Sequence, residues 1–398
     1  MTRRILLGVA GGIAAYKAAA LCSALVQRGD EVDVVLTDAA RRFIGPLTFA
    51  ALTRRPVLEC LWDAPETIPH IALARSAHAI AIVPATAHVV AKLALGIADD
   101  LLTNVALAAR VPLIVAPAMN GAMYEHPATQ AHLATLEARG VTLVAPGVGF
   151  LAERELGIGR LAEQDEILAA LDGALARTQD LAGRRVLITA GPTREAIDPV
   201  RFLSNASTGT IGIELAREAL ARGADVDLIL GPTLLEPPFG ARVERVVSAQ
   251  EMYDATLARA PGADVAIATA AVADWRPVRA FSEKVRKDEI DATLALERTP
   301  DILAELGRSK NRTYLVGFAA QTHDIETYAR EKLAKKRLDA IAVNDVSTPL
   351  AGFGTGTSEL VLLWPDGERE ALGRAPKREL ARRMWDALVR ARSANSAH

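Results

Sequence analysis

Cysteine is almost missing from this chain: Cys22 and Cys60 are the only two in 398 residues. Two thiols cannot build a disulfide framework or a cysteine-based zinc site, and such scarcity suits a reducing, cytoplasmic location. Aromatic residues are scarce as well, at 4%, so the core has to be aliphatic. Neither sign of charge dominates, since 46 basic residues face 48 acidic ones for a net of −2. That balance disfavours a nucleic-acid or acidic-membrane partner. Long pure apolar runs are missing too. The longest apolar stretch, 77–98, carries His78, Pro84, His88 and Lys92, so it is no membrane span. The opening Met1-Thr2-Arg3-Arg4 imitates a signal peptide, but Gly8, Gly11 and Gly12 break the apolar run behind it. It reads as a first strand.

Half of the residues are hydrophobic, with Ala foremost and aromatics few, which suits buried parallel strands under Ala-rich helices. The length exceeds one ordinary core and fits two domains. The chain also begins twice. Ile5-Leu6-Leu7 runs into Gly8-Val9-Ala10-Gly11-Gly12-Ile13, and Val186-Leu187-Ile188 runs into Thr189-Ala190-Gly191-Pro192-Thr193. Each is a short strand, a glycine turn and a helix-like stretch, an arrangement that brings backbone N–H groups to a phosphate. Two nucleotide-handling domains follow, over 1–180 and 184–398, with a boundary near 178–184.

In the first half, strands are expected near 4–9, 32–37, 79–84, 112–116 and 141–145, alternating with helices over 12–28, 43–53, 86–95, 98–109 and 127–139. A helix over 164–177 closes it. The second half reads as strands at 186–190, 225–230, 264–269, 313–317 and 340–343. Helices over 210–222, 250–259, 300–307 and 324–337, a hairpin over 358–372 and a helix over 376–392 complete it. Such alternation predicts α/β architecture with two Rossmann-like doubly wound domains, the first flavodoxin-like. The stretch 275–297 lacks periodicity and reads as a functional loop. The final Ser-Ala-Asn tail reads as disordered.

Several residues stand where ligands bind in open α/β sheets, beyond strand C-termini. Thr86 follows Pro84-Ala85, Asn120 follows Pro117-Ala118-Met119, and His70 precedes an apolar helix. Plainer roles exist for each: Asn120 as a turn cap, Met119 as core filler, His70 as a satisfied cap. In the second half, Ser204-Asn205-Ala206-Ser207-Thr208-Gly209 before a helix suits phosphate or carboxylate, or merely caps it. Asp274 ends a strand, with Lys284 nearby in sequence, and Lys332, Lys335 and Lys336 stud a charged helix that is otherwise simply solvated.

These motifs carry a resemblance. Gly-Val-x-Gly-Gly-Ile-Ala-Ala-Tyr-Lys at 8–17, Thr-x-Ala-Ala-x-x-Phe at 37–43, Pro-Ala-Thr-Ala at 84–87 and Pro-Ala-Met-Asn at 117–120 resemble the flavin-dependent cysteine decarboxylases that act on 4′-phosphopantothenoylcysteine. The likeness implies FMN around Gly11, Gly12, Ile13, Thr37, Ala85, Thr86 and Met119. It implies His70 as the base and Asn120 as the group that orients the substrate carboxylate and amide. One position departs from the pattern. The family's flap reads Leu-Ala-Cys-Gly-Glu-x-Gly-x-Gly-Arg, its cysteine being the proton donor, whereas this chain has Leu151-Ala152-Glu153-Arg154-Glu155-Leu156-Gly157-Ile158-Gly159-Arg160. Glu153 either donates the proton, if burial raises its pKa, or is a solvated residue paired with Arg154. A smaller departure is His88, where the family shows Asn.

The second half is similar to the CTP-dependent phosphopantothenate–cysteine ligase domain that bacteria fuse behind that decarboxylase. Ile188 to Glu195, Ala271 to Pro277 (Ala-Val-Ala-Asp-Trp-Arg-Pro), Thr299 to Leu303 and Val343-Asn344-Asp345-Val346 carry the likeness. It implies that Gly191 serves the nucleotide turn, Asn205 the acyl-cytidylate and Arg201 the anionic substrate. Asp274 would meet the nucleotide or its Mg²⁺, while Lys284, Lys332 and Lys336 neutralise triphosphate. Pro300, Asp301, Ile302 and Leu303 would frame the cytidine together with Phe318. Thr210 stands where the family often has lysine.

The expectation is therefore a bifunctional enzyme of coenzyme A biosynthesis whose substrates are 4′-phosphopantothenate, cysteine and CTP, with FMN and Mg²⁺. The ligase alone, on a disabled N-terminal domain, is the alternative. A flavoprotein regulator is a third reading, against which Asn205, Asp274 and Lys284 argue. The resemblance also implies a homo-oligomer: trimers with FMN sites at subunit contacts, often built into dodecamers, and ligase dimers.

Overall fold

Aliphatic strands buried on both faces need helices above and below them, and each half of the chain supplies such a set. The structure, a computed structural model, describes residues 3–62, 68–150, 156–176, 178–285, 293–321, 325–345 and 357–395. The chain divides into two units between Ala176 and Arg177.

The N-terminal unit contains β1 (Arg4–Val9), α1 (Ala15–Gln27), β2 (Glu31–Leu36), α2 (Pro46–Thr53), β3 (Val57–Leu58) and α3 (Pro69–Ser76). There follow β4 (Ala79–Ala85), α4 (Ala87–Leu95), α5 (Leu101–Ala108), β5 (Leu113–Pro117), α6 (Gly121–Glu125), α7 (Pro127–Ala138) and β6 (Thr142–Leu143). A hairpin of β7 (Gly147–Phe150) and β8 (Leu156–Arg160) leads to α8 (Gln164–Leu175). The six-stranded sheet is parallel and runs β3-β2-β1-β4-β5-β6. Without the two-residue β3 edge this is the flavodoxin-type order, and with it the Rossmann order. Leu21 and Leu25 of α1 and Ile167 and Leu171 of α8 bury one face. Val89, Val90, Leu102, Val105 and Leu133, from α4, α5 and α7, bury the other.

The C-terminal unit begins with β9 (Arg185–Ala190), the ribbon β10 (Arg194–Ala196) with β11 (Phe202–Ser204), α9 (Thr210–Ala221), β12 (Asp225–Leu230) and β13 (Arg242–Arg245). It continues through α10 (Ala249–Arg259), β14 (Val265–Ala268), the ribbon β15 (Trp275–Pro277) with β16 (Leu296–Arg298), α11 (Ile302–Ser309) and β17 (Tyr314–Gln321). It ends in α12 (Ile325–Lys335), β18 (Ala340–Asp345), β19 (Thr357–Leu363), β20 (Arg369–Pro376) and α13 (Lys377–Asn395). The sheet order is β13-β12-β9-β14-β17-β18-β19-β20, parallel to β18 and antiparallel beyond it. This again is a doubly wound core, here extended by a hairpin. Helices α9 and α13 cover one face, and α10, α11 and α12 the other.

Helix α13 is bolted to α9. Trp385 is buried and donates from Nε1 to the Leu215 carbonyl at 3.0 Å. Arg222, 3% exposed, donates to Glu218 at 2.8 Å and to Asp386 at 2.5 Å. A guanidinium so deeply buried is tolerable only because several carboxylates surround it.

Three expectations are corrected. His70 lies inside α3 rather than before it, because Pro69 takes the first helical position, where its missing N–H costs nothing. The aperiodic 275–297 stretch is tied at its ends, Trp275 pairing with Arg298 and Pro277 with Leu296; runs of three residues are too short to show alternation. The Ser393-Ala394-Asn395 tail is helical, α13 running on through Asn395.

Candidate active sites

Each sheet reverses its strand order beside its first strand, and a cavity opens at both places. In the N-terminal unit its volume is about 1320 Å³. The turn after β1 presses on the turn after β2: a Cβ at Gly11 would lie 2.3 Å from Ala39 Cβ and 2.5 Å from its carbonyl carbon, so only glycine fits. That contact brings Thr37 to the wall, its hydroxyl fixed by the Ala40 N–H at 3.2 Å. Gly12 faces space instead, with Thr86 Cγ2 3.5 Å from an added Cβ. Among the described residues, the N–H groups of Gly12, Ile13 and Ala14 donate to no backbone oxygen, and α1 starts without a side-chain cap. Half-buried Lys17 lines the same wall. Free N–H groups at a helix start, next to an ammonium, form an anion cradle.

Across the cavity stands the turn after β5. Asn120 Oδ1 accepts from the Ala122 N–H at 2.9 Å, capping α6, while its Nδ2 has no partner among the described residues and the side chain lines the cavity. Gly159 of β8 clasps this turn. Its carbonyl accepts from the Met119 N–H at 3.0 Å; its φ is +126°, and a Cβ there would lie 2.1 Å from the Met119 carbonyl oxygen. The clasp carries Phe150 and Arg160 of the hairpin to the cavity.

The structure thus brings Gly11, Gly12, Ile13, Thr37, Thr86, Met119 and Asn120 together, and with them His88. Ala85 does not line the cavity, being the fully buried last residue of β4. Nor does His70, whose Nδ1 is buried without a partner among the described residues. Glu153 lies outside the described residues.

The C-terminal cavity, about 830 Å³, is lined by polar and apolar groups in equal measure. Asn205 reaches it by donating from Nδ2 to the carbonyls of Ala271 at 3.2 Å and Val272 at 3.0 Å, which leaves Oδ1 free. Asp274, exposed, makes no side-chain hydrogen bond among the described residues, and its charge acts on Lys332. Asp301 caps α11 through the Ala304 N–H at 2.9 Å and pairs with Lys336. Burial pushes its carboxyl up, but Lys336 and that N–H prevail and hold it below the usual range. Lys332 donates to the Phe318 carbonyl at 2.8 Å; burial, and after it the charge of Lys336, lowers its pKa. Pro300, Ile302, Leu303 and Phe318 complete this wall.

Three expected residues stay out of it. Gly191, at φ +82°, packs its turn against Gly231, whose oxygen would lie 3.0 Å from an added Cβ. Arg201 is engaged with Asp198 through Nε at 2.8 Å and with the Val285 carbonyl at 3.0 Å. This guanidinium holds the Asp198 carboxyl far below its ordinary range. Lys284 is exposed and lines no part of the cavity.

Residues 1–176 match the family described as Flavoprotein, and 181–391 match the DNA/pantothenate metabolism flavoprotein C-terminal domain. The coenzyme A biosynthesis bifunctional protein CoaBC of Bacillus subtilis is 48% identical over 93% of this chain and 92% of its own length. The Vibrio vulnificus protein of the same name is 45% identical over 92% of each chain, and that of Mycobacterium tuberculosis 42% over 97% and 96%. The chain belongs to the CoaBC family.

Its CoaBC character places a flavoprotein domain ahead of the second unit. No helix among the described residues is long and apolar enough to cross a membrane. Among the wall residues to which the sequence reading gave no role are Lys17, Asn344, Ser358 and Lys377. Lys17 could have been found, since it follows Ile13 by one helical turn in the same motif. Asn344 stood within the Val343-Asn344-Asp345-Val346 motif, whereas Ser358 and Lys377 could not be found, because β19 and α13 reach this wall only through tertiary pairing.

Proposed function

We propose that the C-terminal unit joins cysteine to 4′-phosphopantothenate at the expense of CTP, and that the N-terminal unit decarboxylates the product to 4′-phosphopantetheine with FMN. What carries this reading is the contrast between two cavities in one chain. One joins a free N–H cradle to an apolar wall containing Ile13, Met119 and Phe150, and the other gathers Asn205, Asp274, Lys332 and Lys336.

In the ligase step a carboxylate oxygen of 4′-phosphopantothenate attacks the α-phosphorus of CTP, and pyrophosphate leaves. The cysteine amine then attacks the acyl carbon, loses a proton and expels CMP. Lys332 and Lys336 offset the triphosphate charge. Asn205, anchored by its Nδ2, offers Oδ1 to the acyl-cytidylate. The described residues hold no group of three metal-ligating side chains, so Mg²⁺ would arrive on the nucleotide and take Asp274 as a single carboxylate ligand.

In the decarboxylase unit, bound FMN supplies the reversible electron acceptance that makes loss of carbon dioxide redox-neutral. The N–H groups of Gly12 to Ala14, with Lys17, would hold its phosphate, and Thr37, Thr86 and Met119 would line its site. Asn120 turns its Nδ2 to the substrate carboxylate. His70, absent from the wall of its own chain, serves as base in the cavity of a neighbouring copy, which is the use of a trimer. Glu153 returns the proton, since it stands in sequence where the family's flap has its cysteine.

Lys332 makes the nucleotide step pH-sensitive. Its lowered pKa means that charge is lost at a lower pH than the ordinary 10.5. The KM for CTP should therefore climb as pH rises toward that value, and Lys332→Met should have a high KM with no such climb. A wild-type KM flat to pH 10.5 contradicts the assignment.

The whole reading is tested by giving the purified chain 4′-phosphopantothenate, cysteine, CTP and Mg²⁺ and weighing the products by mass spectrometry. Accumulation of 4′-phosphopantetheine is expected. For Glu153→Gln, a species two hydrogens lighter is expected to build up. Wild-type product that stalls at 4′-phosphopantothenoylcysteine overturns the decarboxylase half, and no pyrophosphate release overturns the ligase half.

A further inference from the structure

One end of the C-terminal cavity takes no part in these steps. Lys377, the first residue of α13, is 9% exposed and has neither ion pair nor hydrogen bond among the described residues. Its side chain nevertheless lines the cavity. A buried ammonium with no counter-charge is unfavourable unless something anionic completes it, and burial lowers its pKa accordingly. Ser358, 3% exposed, lies beside it, since Thr357 pairs with Pro376 and Ser358 with Ala375. Asn344, paired with Leu360 on the neighbouring strand, has a buried Oδ1 with no partner among the described residues. Strand alternation puts Asn344 on the face of Ala340 and Ala342, and Ser358 on that of Leu360 and Leu362, the face that α9 and α13 cover. Helix α9 starts there without a side-chain cap, and Thr210 and Ile211 line the same cavity. Lys332 and Lys336 belong to the α12 side, on the opposite face of the sheet. The cavity has two cationic poles.

We propose that Lys377, with Ser358, Asn344 and the N-terminus of α9, forms a second anion subsite, which takes a phosphate group of one of the two phosphorylated substrates. The proposal rests on the ligase reading for the identity of those substrates. A phosphate matches the donor set: an ammonium, a hydroxyl, helix-terminal N–H groups and a carboxamide whose two ends exchange by a half-turn. Two phosphorylated substrates in one cavity need two separated poles. The phosphate of 4′-phosphopantothenate and the phosphates of the nucleotide share the required chemistry.

The test uses the whole chain with Lys377→Met, which keeps the bulk, and Lys377→Arg, which keeps the charge. Pyrophosphate release is followed while CTP, 4′-phosphopantothenate and cysteine are varied in turn. Lys377→Met should raise the KM of one phosphorylated substrate by ~10–100-fold, the range for a lost hydrogen bond to a charged group. The KM for cysteine should stay put, and Lys377→Arg should recover part of the loss. Whichever KM moves names the phosphate. Calorimetry with inorganic phosphate and pyrophosphate needs no turnover, and wild type should bind one of them more tightly than Lys377→Met. If Lys377→Met does not fold, Ser358→Ala should raise the same KM by ~3–10-fold. Unchanged KM values for both phosphorylated substrates, or equal anion binding by wild type and Lys377→Met, overturn the subsite. A wild type without turnover defeats the ligase reading, and the calorimetry still decides the subsite.

Discussion

Gly159→Ala is expected to lower the decarboxylation of supplied 4′-phosphopantothenoylcysteine by ~100-fold while ligase turnover stays within about twofold of wild type. The position combines two constraints. Its φ of +126° is open to glycine and strained for any other residue, and the added Cβ would lie 2.1 Å from the Met119 carbonyl oxygen. The backbone must yield, and what moves is the turn that carries Asn120. A displacement of about 1 Å in a positioning group costs on the order of 100-fold in rate. The damage stays local because the clasp lies wholly within the N-terminal unit. Parallel assays of carbon dioxide and pyrophosphate release check it. Equal losses in both assays would point to general unfolding, and no loss in either would show that the clasp is dispensable.

Asn205→Ala is expected to produce the mirror image: pyrophosphate release falls by ~100–1000-fold, and decarboxylation of supplied substrate is untouched. Removing a single preorganised polar group from a developing transition state typically costs that much. Here the loss is twofold in kind. The Nδ2 tie to Ala271 and Val272 goes, and so does the Oδ1 that faces the cavity. Asn205→Asp separates these contributions, since it keeps the oxygen but sets a carboxylate against two carbonyl oxygens. It should be no better than the alanine variant. Activity within tenfold of wild type in either variant removes Asn205 from the chemistry.

Much of the fold was legible because buried strands and Ala-rich helices alternate cleanly. The strands 4–9 and 225–230 emerged with the limits read from sequence, and both glycine turns fall where the strand order reverses. Short antiparallel ribbons were invisible, as three residues carry no period. Site residues supplied by the loop after a strand, such as Thr86, Asn120, Asn205 and Asp274, could be read from position alone. The roles expected of Gly191 and Arg201 met competing local physics: one is needed for packing against Gly231, and the other is engaged with Asp198. The base role expected of His70 finds no support within one chain, whose N-terminal cavity His70 does not line.

The bolting of α13 to α9 through Arg222 and Trp385 sets an order of birth for the two halves. The N-terminal unit has all of its strands once Ala176 has emerged from the ribosome. The second core, by contrast, lacks its closing helix until Trp385 and Asp386 appear, and until then Arg222 waits without one of its carboxylates. At roughly 5–20 residues per second, that delay is on the order of 10–40 s. During that interval a folded flavoprotein domain carries an unfinished neighbour. Ribosome stalling and C-terminal truncation should therefore injure the ligase long before they reach the decarboxylase.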